Sequence, residues 1–172
     1  MRDFLAIDPG DVHNGVAYFT CLDRRLIRHW TRDLKRDTLF GLVETAVVDG
    51  FVIEEFRLYP ELAREQGYSD FPTVEVIGVV KYLARKRDLP CVVQGASIKS
   101  KSRRIGERLD PNKGRIRSLG TGRGTRRGWD WDAPTQHERD ATSHGTWFAL
   151  RGKDSPLFER DYAKNGGVVF EW

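Results

Sequence analysis

Thiols are scarce in this chain. Only Cys21 and Cys91 occur among its 172 residues, which is too few for the disulfide framework of a small secreted domain or for a four-cysteine zinc site. Both cysteines stand beside apolar segments with the pattern of strands. We therefore predict two reduced, buried thiols that contribute packing, rather than a disulfide or a zinc site.

Long apolar runs are also missing. No segment approaches the roughly 20 apolar residues that a membrane-spanning helix requires, and the N-terminus, Met1-Arg2-Asp3, does not open the apolar stretch of a signal peptide. The sequence thus predicts a cytoplasmic protein without a membrane partner. Because 39% of the residues are hydrophobic over a length typical of one domain, we expect a single domain over residues 1–172.

Positive charge is concentrated in one stretch. From Lys99 to Arg127 there are eleven lysines and arginines and two acids, a local charge of +9, so the rest of the chain carries −5. We predict a basic, Gly/Arg-rich insertion at about 97–130, as a loop or a partly helical arm that binds nucleic-acid phosphates. The alternative is a solvated loop without a partner. The predicted DNA-binding residues are Lys99, Lys101, Arg103, Arg104, Lys113, Arg115, Arg117, Arg123, Arg126 and Arg127.

Apolar patterning predicts an antiparallel meander followed by alternating helices and strands. The predicted strands are Phe4–Ile7, Gly15–Thr20, Arg25–Thr31, Phe51–Glu55 and Cys91–Gln94. A first helix should carry Leu39, Leu42, Val43, Ala46 and Val47 on its apolar face and end near Asp49-Gly50. A second should run from Thr73 to about Lys86, facing Val74, Ile77, Val80 and Leu83 inward. A third is predicted from Thr135 to Leu150, and Thr135 with Glu138 has the spacing of a capping box.

Carboxylates stand at the ends of two predicted strands and at the start of the third helix. Asp8 and Glu54 each end an apolar run, and an acid in that position is costly to desolvate unless a cation meets it. His137 and Asp140 share a helix face with His144, which we interpret as a packing residue. Oxygen-rich ligand sets suit Mg²⁺ or Mn²⁺. We therefore predict a metal site formed by Asp8, Glu54, His137 and Asp140.

Each of these features also has a purely structural explanation. Asp8-Pro9-Gly10 has the composition of an ordinary turn, and Glu54-Glu55 is compatible with a solvated strand end. His137 is compatible with a surface position near a helix start, and Asp140 with a partner for the helix dipole.

The ordered motifs together resemble the RuvC family of Holliday junction resolvases, from about Phe4 to Leu150. They are Ile7-Asp8-Pro9-Gly10 with Gly15, then Ile53-Glu54, then His137-x-x-Asp140-Ala141. The resemblance implies an α/β, RNase H-like fold with a mixed five-stranded sheet flanked by helices. It implies that Asp8, Glu54, His137 and Asp140 are catalytic at a site with two Mg²⁺ or Mn²⁺ ions. Asp8, Glu54 and Asp140 would bind the ions, and His137 would either bind a metal or orient the attacking water. Glu55 would be a neighbour, and no nucleotide cofactor is implied.

The implied activity is that of a crossover junction endodeoxyribonuclease in DNA recombination and repair. A homodimer would cut a four-way junction or other branched DNA to 5′-phosphate and 3′-hydroxyl ends, in a host cytoplasm if the protein is phage-encoded. The family often has a junction-wedging aromatic residue three positions after the second acid, where this chain has Arg57. Phe56, Tyr59, Tyr68 and Phe71 are the remaining candidates for stacking on bases.

Three other functions are compatible with parts of the sequence. Asp8-x-Gly10 with Asn14-Gly15 also resembles the first phosphate loop of the actin and sugar-kinase fold, although that fold needs a far longer chain. Another RNase H-like nuclease, acting on RNA–DNA hybrids or in a terminase, would share the metal chemistry. A non-catalytic nucleic-acid-binding protein would use the basic insertion alone.

Overall fold

The first three strands form an antiparallel meander. In a computed structural model, which describes residues 1–22, 25–56, 71–99, 101–102, 116–120, 125–129, 133–151 and 169–171, these strands are β1 (Asp3–Asp8), β2 (His13–Leu22) and β3 (Arg25–Lys35). β1 pairs antiparallel with β2, and β2 with β3. The short β1–β2 turn contains Pro9 and Gly10, and Gly10 N donates a hydrogen bond at 3.2 Å to Oδ1 of Asn14 in β2.

Helices then alternate with parallel strands. The remaining elements, in chain order, are α1 (Arg36–Thr45), β4 (Gly50–Glu55), α2 (Pro72–Lys86), β5 (Cys91–Gly95), β6 (Ile116–Gly120), β7 (Thr125–Trp129), α3 (Gln136–Arg151) and β8 (Val169–Glu171). β4 pairs parallel with both β1 and β5. Parallel neighbouring strands need a crossover connection, because a tight hairpin joins only antiparallel strands. Helices α1 and α2 lie in these connections.

The main sheet has the strand order β5-β4-β1-β2-β3-β8. The predicted mixed five-stranded sheet flanked by helices is therefore confirmed. A sixth strand, β8, extends the sheet at the β3 edge, where its three residues pair parallel with Arg25–Ile27. With three residues, β8 is too short to show an alternating apolar pattern in the sequence.

The two faces of the sheet pack against different helices. On one face, the sheet packs against α1 and α2 through an apolar cluster that includes Leu5, Ile7, Phe51 and Ile53. On the other, it packs against α3 through a cluster built around Phe4, Phe19 and Phe148. The alternation of side chains along each strand separates the two clusters, since successive residues point to opposite faces.

Two details of the predicted helices were wrong. α1 ends at Thr45 instead of near Asp49-Gly50, so Val47 lies outside the helix and is 93% exposed. In α2, the buried positions are Val76, Val80 and Ala84, whereas Val74 is 45% exposed. Ile77 and Leu83 are partly buried against the core, as expected.

The basic insertion contains more regular structure than the sequence suggested. Residues 98, 99, 101 and 102 are helical. β6 and β7 then pair antiparallel as a separate two-stranded sheet, with Leu119 opposite Arg126 and Ser118 opposite Arg127. The alternation of apolar and polar residues that usually reveals a strand is absent here because glycine and arginine dominate both segments.

Both cysteines are free, with Cys21 buried and Cys91 half-buried. Among the described helices, none has the length and apolar character needed to cross a membrane.

Candidate active site

Asp8 and Glu54 meet at one edge of the sheet. β1 and β4 run parallel with Ile7 beside Ile53, so the residues that follow, Asp8 and Glu54, lie side by side at the carboxyl ends of both strands. The next strand extends the row, because Glu54 is paired with Gln94 of β5. All three polar side chains are thereby delivered to the same end of the sheet by backbone pairing alone.

Helix α3 brings the third acid to this edge. Its start is fixed by the predicted capping box: Thr135 N donates to Glu138 Oε2 at 2.9 Å, and Glu138 N donates to Thr135 Oγ1 at 3.2 Å. The helix then crosses β2 at Gly15, where an added Cβ would lie only 1.9 Å from the His137 carbonyl oxygen. Gly15 therefore permits the close approach that carries His137 and Asp140 to the strand ends.

The three carboxylates surround the ammonium group of Lys99, just after β5. Lys99 Nζ lies 2.9 Å from Asp8 Oδ1, 2.7 Å from Glu54 Oε2 and 2.8 Å from Asp140 Oδ2. Burial opposes its charge, but the carboxylates of Asp8, Asp140 and Glu54 raise the pKa of Lys99. The sequence analysis assigned Lys99 to the basic arm, and its signal as one lysine in a charged run could not reveal this position.

His137 and Asp8 form the shortest polar contact of the site. His137 Nδ1 is 2.6 Å from Asp8 Oδ2, and this hydrogen bond raises the pKa of His137. Burial raises the pKa of Asp8 to about 7, against the lowering effect of the His137 hydrogen bond, with the neighbouring Glu54 adding to the increase. Burial therefore opposes ionisation of Asp8 even with the Lys99 ammonium 2.9 Å away.

The sequence analysis interpreted His144 as a packing residue, and the structure shows that this buried side chain also contacts Glu54, a predicted site residue. Its imidazole is completely buried, with Nε2 3.1 Å from Glu54 Oε2 and Nδ1 2.9 Å from Gln94 Oε1. Burial opposes ionisation of Glu54, but the hydrogen bond with His144, the contact with Asp8 and the charge of Lys99 lower its pKa. The i+4 spacing from Asp140 had placed His144 on the same helix face as the predicted site residues, but it did not indicate Glu54 as the partner.

The predicted site residues line a cavity of about 270 Å³. The described lining includes all four of them. The other described lining residues are Pro9, Glu55, Phe56, Thr73, Ala96 and Lys99. Gln136 Nε2 donates to Asp140 Oδ1 at 2.7 Å and so orients that carboxylate.

The carboxylates of Asp8, Glu54 and Asp140 come from separate elements and converge on the Lys99 ammonium. Such a set of oxygen donors also fits hard divalent ions. The cluster Asp8, Glu54 and His144 likewise brings potential ligand atoms within 4.8 Å of one another.

The predicted DNA-binding residues are only partly described. Lys101 is exposed and its Nζ lies 5.8 Å from the ring centroid of Trp147. Strands β6 and β7 contain three more of the predicted residues, Arg117, Arg126 and Arg127. Arg103, Arg104, Lys113, Arg115 and Arg123 lie outside the described residues. A role in DNA binding stays a prediction for the whole set.

Of the four candidate stacking residues, two are described. The rings of Phe56 and Phe71 contact each other, with centroids 5.7 Å apart, and Phe56 lines the cavity. Tyr59 and Tyr68 lie outside the described residues.

Solved structures with the same fold place these observations in context. The chain is similar to Thermus thermophilus RuvC at 14% identity and a TM-score of 0.54, covering 86% of this chain and 93% of that one. It is also similar to T. thermophilus RuvC in complex with Holliday junction substrate, at 15% identity and a TM-score of 0.57, covering 87% and 93%. The chain has a RuvC-like fold.

The RuvC resemblance inferred from the acidic motifs is thus confirmed at the level of fold. No protein-family model matches the chain, and no curated protein matches it either. Similarity at this low identity shows the fold, and function depends on the residues of the site.

Proposed function

We propose that the protein is a metal-dependent endonuclease that resolves four-way DNA junctions. The observation that carries this proposal is the convergence of Asp8, Glu54 and Asp140 from β1, β4 and α3 around a single cation at the mouth of a cavity, on a RuvC-like fold. The similarity to a RuvC solved with a Holliday junction substrate supports branched DNA as the target.

Asp8, Glu54, Asp140 and His137 are the residues that would hold two Mg²⁺ or Mn²⁺ ions. The carboxylates of Asp8, Glu54 and Asp140 would supply oxygen ligands to these ions. Bound ions of this kind activate a water molecule and stabilise the leaving oxygen in phosphodiester hydrolysis. The expected products carry 5′-phosphate and 3′-hydroxyl ends.

The chain's own side chains would prepare the site for this chemistry. His137 can hold a proton at Nδ1 against Asp8 Oδ2, and that bond orients the imidazole at the cavity wall. Lys99 keeps the three carboxylates together when no other cation is present. Lys99 is also one of the predicted DNA-binding residues, and its ammonium would pair with a DNA phosphate when the carboxylates do not hold it.

The basic insertion would supply the affinity for DNA. Lysine and arginine contacts with phosphates give binding that weakens strongly with salt and reads little sequence. We propose a homodimer, in which two such sites cut symmetric strands of one junction, working in the cytoplasm in DNA recombination and repair.

Cleavage of a labelled four-way junction tests this function. Wild-type protein with Mg²⁺ or Mn²⁺ should make paired incisions across the junction, in preference to matched duplex, flap and RNA–DNA hybrid substrates. Glu54→Gln should abolish the incisions, whereas Glu55→Gln, the adjacent acid on the same strand and cavity wall, should retain them. This pair controls for loss of one negative charge at the cavity.

The other outcomes contradict the proposal in distinct ways. Cleavage of flaps or hybrids in preference to junctions would refute junction resolution and leave a metal nuclease of another specificity. Junction binding without incision under either metal would indicate a non-catalytic DNA-binding protein.

A further inference from the structure

His144 bridges two strands that already lie side by side. Glu54 and Gln94 are direct neighbours in the parallel pairing of β4 and β5. The imidazole enters from α3 and contacts both, with Nε2 against the Glu54 carboxylate and Nδ1 against the Gln94 amide. A completely buried histidine therefore has both ring nitrogens engaged, one of them by a predicted metal ligand.

His144 contacts Glu54 from behind the cavity. Within the described part of the chain, the cavity wall includes Glu54 and Lys99 but not His144. Lys99 Nζ and His144 Nε2 both contact Oε2 of Glu54, at 2.7 and 3.1 Å. One carboxylate oxygen thus has a partner in the cavity and a partner in the protein interior.

The hydrogen bond between His144 and Glu54 has a defined direction. An ionised carboxylate only accepts hydrogen bonds, so His144 Nε2 carries the hydrogen and donates it. The Gln94 amide satisfies Nδ1 in either protonation state, because its oxygen accepts from Nδ1–H and its rotated NH₂ group donates to a bare nitrogen. Gln94 therefore holds the ring so that Nε2–H faces Glu54.

We propose that His144 and Gln94 are a positioning pair that holds the Glu54 carboxylate ready for a metal ion. The pair rests on the proposed metal-dependent nuclease function and deepens it. His144 acts on Glu54 directly and Gln94 acts through His144. Outer hydrogen bonds of this kind fix the orientation of a ligating carboxylate.

Mn²⁺ affinity of the DNA-free protein, measured by calorimetric titration, tests the pair. His144→Leu removes the donor and should weaken the tightest Mn²⁺ site by about 10- to 100-fold. His144→Gln, whose amide nitrogen replaces Nε2, should stay within about 5-fold of wild type if orientation of Glu54 is what matters. Gln94→Met keeps the side-chain length without hydrogen bonds and should weaken binding by about 3- to 10-fold.

The double variant sharpens this test. Because Gln94 acts through His144, the combination of His144→Leu with Gln94→Met should bind Mn²⁺ no more weakly than His144→Leu alone. Thr146→Val is the matched control for disturbing the interior of α3, since Thr146 is equally buried on the same helix. It should leave Mn²⁺ affinity unchanged.

Two results would overturn the positioning role. Equal loss in His144→Leu and His144→Gln, with wild-type affinity in Gln94→Met, would make His144 a direct metal ligand. Wild-type affinity in all variants would make the contacts purely structural. Gln94→Met keeps the test usable even if a variant at position 144 fails to fold.

Failure of the proposed function can be distinguished from failure of the positioning pair. Wild-type protein that binds Mn²⁺ but leaves four-way junctions intact contradicts junction resolution and leaves the positioning pair standing. Wild-type protein that cuts junctions while every variant binds Mn²⁺ normally contradicts only the pair. Wild-type protein that does not bind Mn²⁺ contradicts both.

Discussion

One face of the sheet packs against α1 and α2 with apolar side chains, whereas the other packs against α3 with a mixture of apolar and polar groups. The residues buried in α1 and α2 are all apolar. In α3, by contrast, the buried set includes Glu138, Thr142, Ser143, His144 and Thr146. Buried polar groups cost stability unless they find partners. The comparison indicates that the α1/α2 face stabilises the fold while the α3 face carries the predicted site residues.

The largest expected effect comes from replacing Asp8, which lines the cavity on the α3 side of the sheet. Asp8→Asn should reduce junction cleavage by at least about 10³-fold, since several kcal/mol of metal-assisted stabilisation depend on that carboxylate. The same change should raise the thermal stability of the metal-free protein at pH 8, because it removes a carboxylate whose ionisation burial opposes. Cleavage assays and calorimetric melting measure the two effects.

The stability gain from Asp8→Asn should depend on pH. The pKa of Asp8 is raised to about 7 in the folded protein from 3.8, so ionisation destabilises the fold progressively as pH rises between these values and by a constant amount above them. The difference in melting temperature between Asp8→Asn and wild type should therefore be near zero at pH 4 and grow up to about pH 7. A constant difference across this range would contradict the raised pKa.

Leu5→Ala tests the apolar face. Leu5 is completely buried in the cluster against α1 and α2, and its truncation should cost about 3 kcal/mol of unfolding free energy. Urea denaturation measures this loss. Cleavage per folded molecule should change less than about 2-fold, since the side chain points away from α3. A large loss of activity in fully folded protein would break the division between the two faces.

Gly15→Ala should lower both the stability of the fold and the rate of junction cleavage, because Gly15 lies at the contact between α3 and β2. An added Cβ would collide with the backbone of His137, and overpacking of this kind costs about 1 to 3 kcal/mol. The resulting shift of His137 and Asp140 should lower cleavage by about 10²-fold. Gly78→Ala is the matched control, since a Cβ there meets nothing within 4 Å.

Lys99→Met tests how far the ammonium competes with metal ions. Removing it should raise Mn²⁺ affinity by about 10-fold, since an ion no longer has to displace a charge held by three carboxylates. The metal-free variant should also melt at a lower temperature at neutral pH, because the carboxylates then repel one another. Lys101→Met, two residues further on and exposed, should change neither. Unchanged Mn²⁺ affinity in Lys99→Met would mean that Lys99 leaves the site at no cost.

The smallest expected effect compares two threonines of α3. Among described atoms, Thr146 Oγ1 is buried without a hydrogen-bond partner, so Thr146→Val should stabilise the protein by about 1 kcal/mol. Thr142 Oγ1 instead donates to the Glu138 carbonyl at 2.9 Å and accepts from Arg28 at 3.4 Å. Thr142→Val should therefore destabilise by about 1 kcal/mol. Urea denaturation with equal signs for both changes would contradict this account.

Local patterns predicted the elements that carry the acids. The apolar runs before Asp8 and Glu54 were sufficient to identify β1 and β4, and the capping box at Thr135 located the start of α3. These signals are local because strand alternation and helix capping depend on residues within a few positions of each other. The C-terminal end of α1 and part of the buried face of α2 were predicted wrongly, because apolar residues such as Val47 and Val74 also occur on surfaces.

Long-range placement could not be predicted in the same way. Lys99 reaches the carboxylates only because β5 pairs with β4 and a helical turn follows it. His144 becomes a partner of Glu54 only when α3 docks on the sheet, and the two residues are 90 positions apart. Nothing near either residue in the sequence encodes its partner. The hairpin of β6 and β7 was missed because its glycines and arginines hide strand periodicity.

The docking of α3 also sets when the site can exist during synthesis. The hydrogen bond between Asp8 and His137 spans 129 positions, so a ribosome releases β1 and β4 well before the helix that completes the carboxylate cluster. A nascent chain holding only the first two acids lacks Asp140, His137 and His144 together. The protein therefore emerges without a finished carboxylate cluster, and the proposed metal site can form only after α3 has left the ribosome and packed over Gly15.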